Sequence, residues 1–276
     1  MKCRLFSWIA FCVVMVTGSA SAHGDLHDRI VQITAEIRES PTAGLFLKRG
    51  LLHLEHGEAE SALADLSETE RLSPGALEID PPRAEALMLL GKDSDALEVL
   101  NRCLDREPSA FRCLLLRARV FARMGIKERA IHDYRKALSL VSNPEPDLLL
   151  EVSKALAENK QDANALEVLD QGIARLGPLP PLVSAAVEID VGNGNIGRAL
   201  TRIDLAQAAA PRPEPWMASR ASILARAGRT GESKAAWKSL LDRISSLPPN
   251  ERSSQAMCSR AKEARDALAA LNSNPP

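Results

Sequence analysis

The chain has 276 residues, of which 45% are hydrophobic, 26% charged and only 3% aromatic, a composition that supplies a buried core and excludes a wholly disordered chain. Thirty-five Lys and Arg stand against 36 Asp and Glu, a net charge of −1 with no long run of one sign, so the basic footprint of sequence-independent nucleic-acid binding is missing. With three Trp, one Tyr and five Phe, the core must be filled by Leu, Ala, Ile and Val, which suits close-packed helices better than sheets.

Lys2 and Arg4 precede an apolar stretch from Leu5 to Val16, and Ala20-Ser21-Ala22 then offers a small-x-small site. Residues 1–22 therefore read as an export signal cleaved before His23. Phe11 before Cys12 is not the small residue that lipid attachment requires, and no later segment reaches the roughly 18 consecutive apolar residues of a membrane span. The expected mature chain is exported, periplasmic or secreted. Without Lys2 and Arg4 it carries 33 basic against 36 acidic groups, a formal charge of −3, and it keeps Cys103, Cys113 and Cys258. Residues 23–42 form the next segment, where Leu26, Ile30, Ile33 and Ile37 mark one face of a helix entered through Asp25.

From about residue 43 the chain repeats itself. Gly57, Gly91 and Gly125 recur at steps of 34, as do Ala62, Ala96 and Ala130, and Ala165, Ala199, Gly194 and Gly228 continue the columns. Within one unit, Leu114, Ala118, Phe121 and Ala122 line a helix face, Gly125 ends that helix, and Ala130, Tyr134, Ala137 and Leu138 line the next. Small residues at Gly50, Ala84 and Ala118 on first helices, and at Ala62, Ala96 and Ala130 on second helices, let two backbones approach where they cross. Pro74, Pro108 and Pro211 end second helices. Six units begin near Ala43, Leu77, Phe111, Pro146, Pro180 and Glu214 and fill residues 43–246. Pro81 and Pro82 delay the first helix of the second unit, and Lys160 replaces the glycine of the fourth. Residues 247–276 hold a last helix, Ser253 to Leu271, with a short tail.

These residues resemble the tetratricopeptide repeats. The first unit places Phe46, Arg49-Gly50, His53, Ala62, Leu66 and Pro74 on the family pattern, and the third places Leu114, Arg117-Ala118, Phe121, Ala130 and Tyr134. Arg49 and Arg117 stand where the family has Leu. The resemblance implies an all-α fold, a right-handed α-solenoid of about six helix pairs with an N-terminal helix and a C-terminal capping helix, roughly fourteen helices in all. It also implies a concave face that receives a peptide or partner protein. Packing of consecutive repeats makes a disulfide between Cys103 and Cys113 sterically conceivable, two small buried thiols being the preferred reading.

Motifs that carry chemistry elsewhere have structural explanations here. Gly192 to Gly197 matches G-x-G-x-x-G, but Gly194 falls in the turn-glycine column and no alternating strands and helices surround it. Ser259 to Lys262 matches S-x-x-K without the companion elements of penicillin-recognising enzymes. His53 and His56 lie three apart without a third imidazole or thiolate, giving a core-edge and an exposed histidine rather than a metal site. An amino terminus at His23, or at Ser21 after cleavage behind Ala20, would set an imidazole near a free amine that chelates Cu²⁺ or Ni²⁺; incidental position is the preferred reading.

No enzyme constellation, cofactor site or metal site emerges, so the expected function is an exported protein- or peptide-binding scaffold. A metal-handling protein or an enzyme with an unrecognised site is the alternative. Arg112, Arg119 and Arg123 lie within about 40° on one helix side, and the resemblance turns that side to the concave groove, with Lys154 and Arg226 in comparable places. A planar guanidinium fork suits carboxylates, which points to an acidic peptide segment or free carboxyl terminus. Neutralisation by Asp147, Glu151, Glu158 and Glu188 is the competing account.

Overall fold

The computed structural model describes residues 17–273 and contains no strand among them. The export-signal reading falls largely on residues 1–16, outside the described residues. Helix α1 (Thr17–Glu39) packs on α2 (Ala43–Glu55), and a hairpin joins α2 to α3 (Ala59–Leu72). A single 3₁₀ turn, Leu77–Ile79, leads into α4 (Asp80–Leu89), where Pro81 and Pro82 occupy the first turn, and α4 pairs with α5 (Asp93–Arg106). Helices α6 (Phe111–Arg123) and α7 (Lys127–Ser139) form the third pair. These elements make one compact unit that ends at Leu140.

A second unit begins at Val141. Its pairs are α8 (Pro146–Glu158) with α9 (Asp162–Leu176), α10 (Pro180–Gly192) with α11 (Ile196–Ala209), and α12 (Glu214–Arg226) with α13 (Thr230–Ser245). After the break at Leu247-Pro248 comes one turn, α14 (Pro249–Arg252), and then α15 (Gln255–Ser273), which packs along α13. The described helices number fifteen rather than fourteen, because Pro248 and Pro249 set off α14 as a separate turn before the last helix.

The turn chemistry explains the glycine column. Gly125 has φ +74°; its N–H bonds the Ala122 carbonyl and the Ile126 N–H bonds the Phe121 carbonyl, closing α6 on two otherwise orphaned acceptors. Lys160 adopts the same left-handed conformation at φ 58°, with Lys160 and Gln161 donating to Ala157 and Leu156.

Small residues hold the helix pairs together at their crossings. A Cβ on Gly50 would sit 3.3 Å from Asp65 Cβ and 3.4 Å from the Ala62 carbonyl. Ala62, Ala96, Ala165 and Ala199 are completely buried, and in the last repeat Ser233 fills that column, its hydroxyl donating to the Ala221 carbonyl across the crossing at 2.8 Å. Around these contacts lies aliphatic core: Leu100, Leu104, Leu114 and Leu116 in the first unit, and Ile203, Leu224 and Leu240 in the second. Each fully buried leucine or isoleucine side chain contributes about 1.5–3 kcal/mol, so the buried faces outweigh local helix propensity. Beneath α15, Trp237, Ile244 and Met257 share one cluster, so the last helix covers the apolar face that α13 leaves open.

Candidate functional site

Of the arginines proposed for a binding face, Arg112, Arg119 and Arg123 are each engaged by groups of the chain itself. Arg112 forks onto Glu85 of α4 at 2.9 and 3.0 Å, and Arg123 donates to the Met88 carbonyl at 2.9 Å and faces Asp93 at 3.2 Å. Arg119 is also engaged within the chain. Neutralisation of Arg112 and Arg123 comes from the preceding repeat in the same unit. Lys154, in the second unit, lies along its own helix 3.9 Å from Glu158. Among the described residues Arg226 makes no hydrogen bond or ion pair.

The arginines that replace the family leucine serve packing. Arg49 reaches Asp65 through Nε at 2.8 Å and Nη2 at 2.6 Å, and its Nη1 donates to Thr34 of α1. Arg117 repeats this with Asp133 at 2.7 and 3.0 Å, and its Nη1 donates to Asn101 of α5. Each guanidinium braces its own pair and ties it to the preceding helix. The same register holds Arg83 and Arg220, but Val99 and Ala236 stand where the aspartate would be. Those arginines turn backward instead, Arg83 to the Leu66 carbonyl at 3.2 Å and Arg220 to Asp204. In the fifth repeat the brace is inverted: fully buried Asp190 on α10 accepts from Arg202 on α11 at 2.7 Å, and Arg202 also forks onto Asp170. The Asp170 bond holds Arg202 well above the ordinary arginine value.

Arg226 lines a groove of about 540 Å³ formed by α10, α12 and α15 within the second unit. Its apolar part is Val187, Val191, Trp216 and Ile223, and its small residues are Gly192, Ser184, Ser219 and Ser222. Glu188 stands on the α10 wall, and like Arg226 it has no hydrogen-bond or ion-pair partner among the described residues. On the α15 wall Arg260 lies 3.9 Å from Glu263, and its buried Nε has no acceptor among the described residues. The groove has the size and mixed lining of a ligand site. Arg226 was visible through the repeat register, but Trp216 and Ser222 carried no distinguishing signal. Arg260 sits on a helix outside the period, where only the chance S-x-x-K match touched it.

The remaining motifs fall into structural places. Gly192 to Gly197 runs from the end of α10 to the start of α11, with Gly194 at φ +72° in a helix–helix turn. Ser259 to Lys262 lies within α15. His53 and His56 both turn a ring Nδ1 to Glu58, at 2.6 and 2.8 Å, and His53 Nε2 lies 3.7 Å from Asp65. The His53 contact first, and the His56 contact second, hold the Glu58 carboxyl below its usual range. Among the described residues no group of three or more His, Cys, Asp and Glu is placed to hold a metal ion. Cys103 and Cys113 are joined by a disulfide inside the first unit's core, their Cα atoms 6.7 Å apart, and Cys258 is a free, exposed thiol.

The chain matches no family profile. Among solved structures, the C-terminal part of a TPR repeat-containing protein from Cytophaga hutchinsonii superposes with a TM-score of 0.67 at 14% identity, covering 90% of this chain and 96% of that one. A tetratricopeptide repeat protein from Parabacteroides merdae gives 0.53 at 15% identity, covering 93% and 95%. YrrB, described as a TPR protein with an unusual peptide-binding site, gives 0.51 at 14% identity, covering 72% and 97%. Over 186 residues the chain is 23% identical to General transcription factor 3C polypeptide 3 of Homo sapiens; the match takes in 65% of this chain and 21% of that protein. The chain thus spans about a fifth of the length of the curated relative it matches. Its fold is the helix-pair fold of tetratricopeptide-repeat proteins.

Proposed function

We propose that the protein is an exported scaffold that binds a peptide or protein segment, with the groove of the second unit as its site. The observation that carries this reading is the groove itself: an apolar strip around Trp216, small residues beside it, and a guanidinium at Arg226 that has no partner among the described residues. Stacked helix pairs create extended surface rather than an enclosed pocket for acid–base chemistry, which favours recognition over catalysis. Export is supported by the basic and apolar start of the chain and by Ala20-Ser21-Ala22, and the disulfide in the first unit's core suits an oxidising compartment. Because Arg112 and Arg123 are held by Glu85 and Asp93, the carboxylate of an acidic partner falls to Arg226.

Capture from the exported fraction of the native organism, using immobilised mature protein, tests the site through two variants. Ser222→Trp fills the groove and Arg226→Ala removes its free cation. Both should release the captured partner while circular dichroism stays helical, whereas Arg112→Ala in the first unit should retain it. Equal capture by Ser222→Trp and the unaltered chain would overturn the assignment.

A further inference from the structure

The groove of the second unit carries charges of both signs. Arg226 and Arg260 are balanced by Glu188 and Glu263, and Glu188 and Arg226 have no ion-pair partner among the described residues. Several other arginines of this unit are satisfied nearby: Arg202 by Asp190 and Asp170, Arg220 by Asp204, and Arg243 by Glu214 at 3.2 Å. A wholly acidic segment seated on Arg226 would bring further carboxylates toward Glu188 and Glu263, and a wholly basic one would meet Arg226 and Arg260. Like-charge juxtaposition of this kind is what rejects wrong partners at interfaces.

The groove's small residues add a second constraint. Gly192, Ser184 and Ser222 leave room for a main chain to lie low, and the hydroxyls of Ser184 and Ser222 have no hydrogen-bond partner among the described residues. A serine hydroxyl both donates and accepts, so it can meet either the N–H or the C=O of a peptide unit. Val187, Trp216 and Ile223 are core residues whose edges, with half-buried Val191, floor the groove and offer contact to one apolar side chain.

We infer that the groove takes an extended peptide segment carrying an acidic and a basic side chain close to an apolar residue, the acid meeting Arg226 and the base meeting Glu188. This rests on the reading of the groove as the peptide site, and narrows its ligand from an acidic segment to one of mixed charge.

A display library of random dodecapeptides, selected on the immobilised mature chain and counter-selected on Ser222→Trp, provides the test. Enriched sequences should combine an acidic, an apolar and a basic residue within a few positions. Selection on Glu188→Lys should shift enrichment to acidic sequences without a base. A synthetic peptide from the first selection should lose roughly tenfold in affinity on Glu188→Lys and on Arg226→Glu, and lose more at low salt than at high salt. Glu188 and Arg226 are exposed, so these variants should remain helical. Enrichment of purely acidic sequences on the unaltered chain, with Glu188→Lys improving their binding, overturns the mixed-charge ligand and leaves the peptide site standing. No enrichment over the Ser222→Trp background overturns both.

Discussion

Lys160 shows how a column read from sequence becomes a statement about strain. The other turns in its register use Gly57, Gly91, Gly125, Gly194 and Gly228, all with φ between +71° and +82°. Lys160 makes the same turn at φ 58° with a side chain attached. The left-handed conformation costs a non-glycine residue about 1–2 kcal/mol, and glycine's larger entropy loss on folding returns part of that. Lys160→Gly should therefore stabilise the chain by about 0.5–1 kcal/mol, read as a higher urea midpoint at unchanged slope. The missing glycine was legible in the sequence; that the turn keeps its geometry regardless was not, because a helix can also end without a left-handed residue. Glu58 gives a second test at this scale. Its depressed carboxyl value means that it contributes stability above the ordinary glutamate value of 4.5, and that this contribution is lost as pH falls through the lower folded value. Glu58→Gln should thus be less stable than the parent at about pH 6, and the gap should narrow as acidification carries the pH below the ordinary glutamate value. An unchanged gap across that range would show that the two histidine contacts do not favour the carboxylate.

The arginine braces belong to the scale of the helix pair. Asp133 is almost completely buried and carries both bonds from Arg117, so removing it leaves a guanidinium without its anion inside the pair. Asp133→Ala should cost about 3 kcal/mol, near the low end for a broken buried pair. The fourth repeat carries the apolar alternative, with Val152 and Val168 at the corresponding places, Val152 fully buried. The double change Arg117→Val with Asp133→Val should accordingly fall within about 1 kcal/mol of the parent, because the desolvation of both charges disappears together with their attraction. Thermal or urea unfolding of the two single and one double variants reads the coupling; a double variant as unstable as the sum of the singles would refute the brace. The helices themselves were readable from small-residue spacing, since Ala62 and its equivalents are small in every period, and Gly50 and its equivalents in every period but the fifth, where Val187 stands. The brace was half readable. Arg49 and Arg117 stood out as departures from the family pattern, but their partners lie 16 residues away on another helix, where neither helix period nor local motif links them.

Across the whole chain, the period of 34 made the fold legible, and the site was legible only where it obeyed that period. Arg226 could be placed by register. Arg260 and Glu263 could not, because α15 lies outside the repeats, and the capture of Arg112 by Glu85 depends on side-chain directions that spacing leaves open. The cysteines link fold to compartment in the same way. Of five cysteines, Cys3 and Cys12 lie in the segment read as an export signal, Cys103 and Cys113 are bonded to each other, and Cys258 is exposed and free. The disulfide ties the end of α5 to the start of α6 with a sequence separation of 10, and closing a loop of that size stabilises a fold by about 3 kcal/mol in the chain-entropy account. A buried bond of this kind forms in an oxidising compartment and is kept reduced in the cytosol. Protein recovered from the exported fraction should therefore begin at His23, carry no acyl chain, and show one reactive thiol when denatured without reductant and three after reduction. Intact mass and thiol titration on the same sample decide it. Three thiols before reduction in correctly cleaved protein would place Cys103 and Cys113 apart as thiols and remove the disulfide as support for export. Three thiols before reduction and five after it, in a chain whose mass still includes residues 1–22, would keep the bond and overturn cleavage at Ala22.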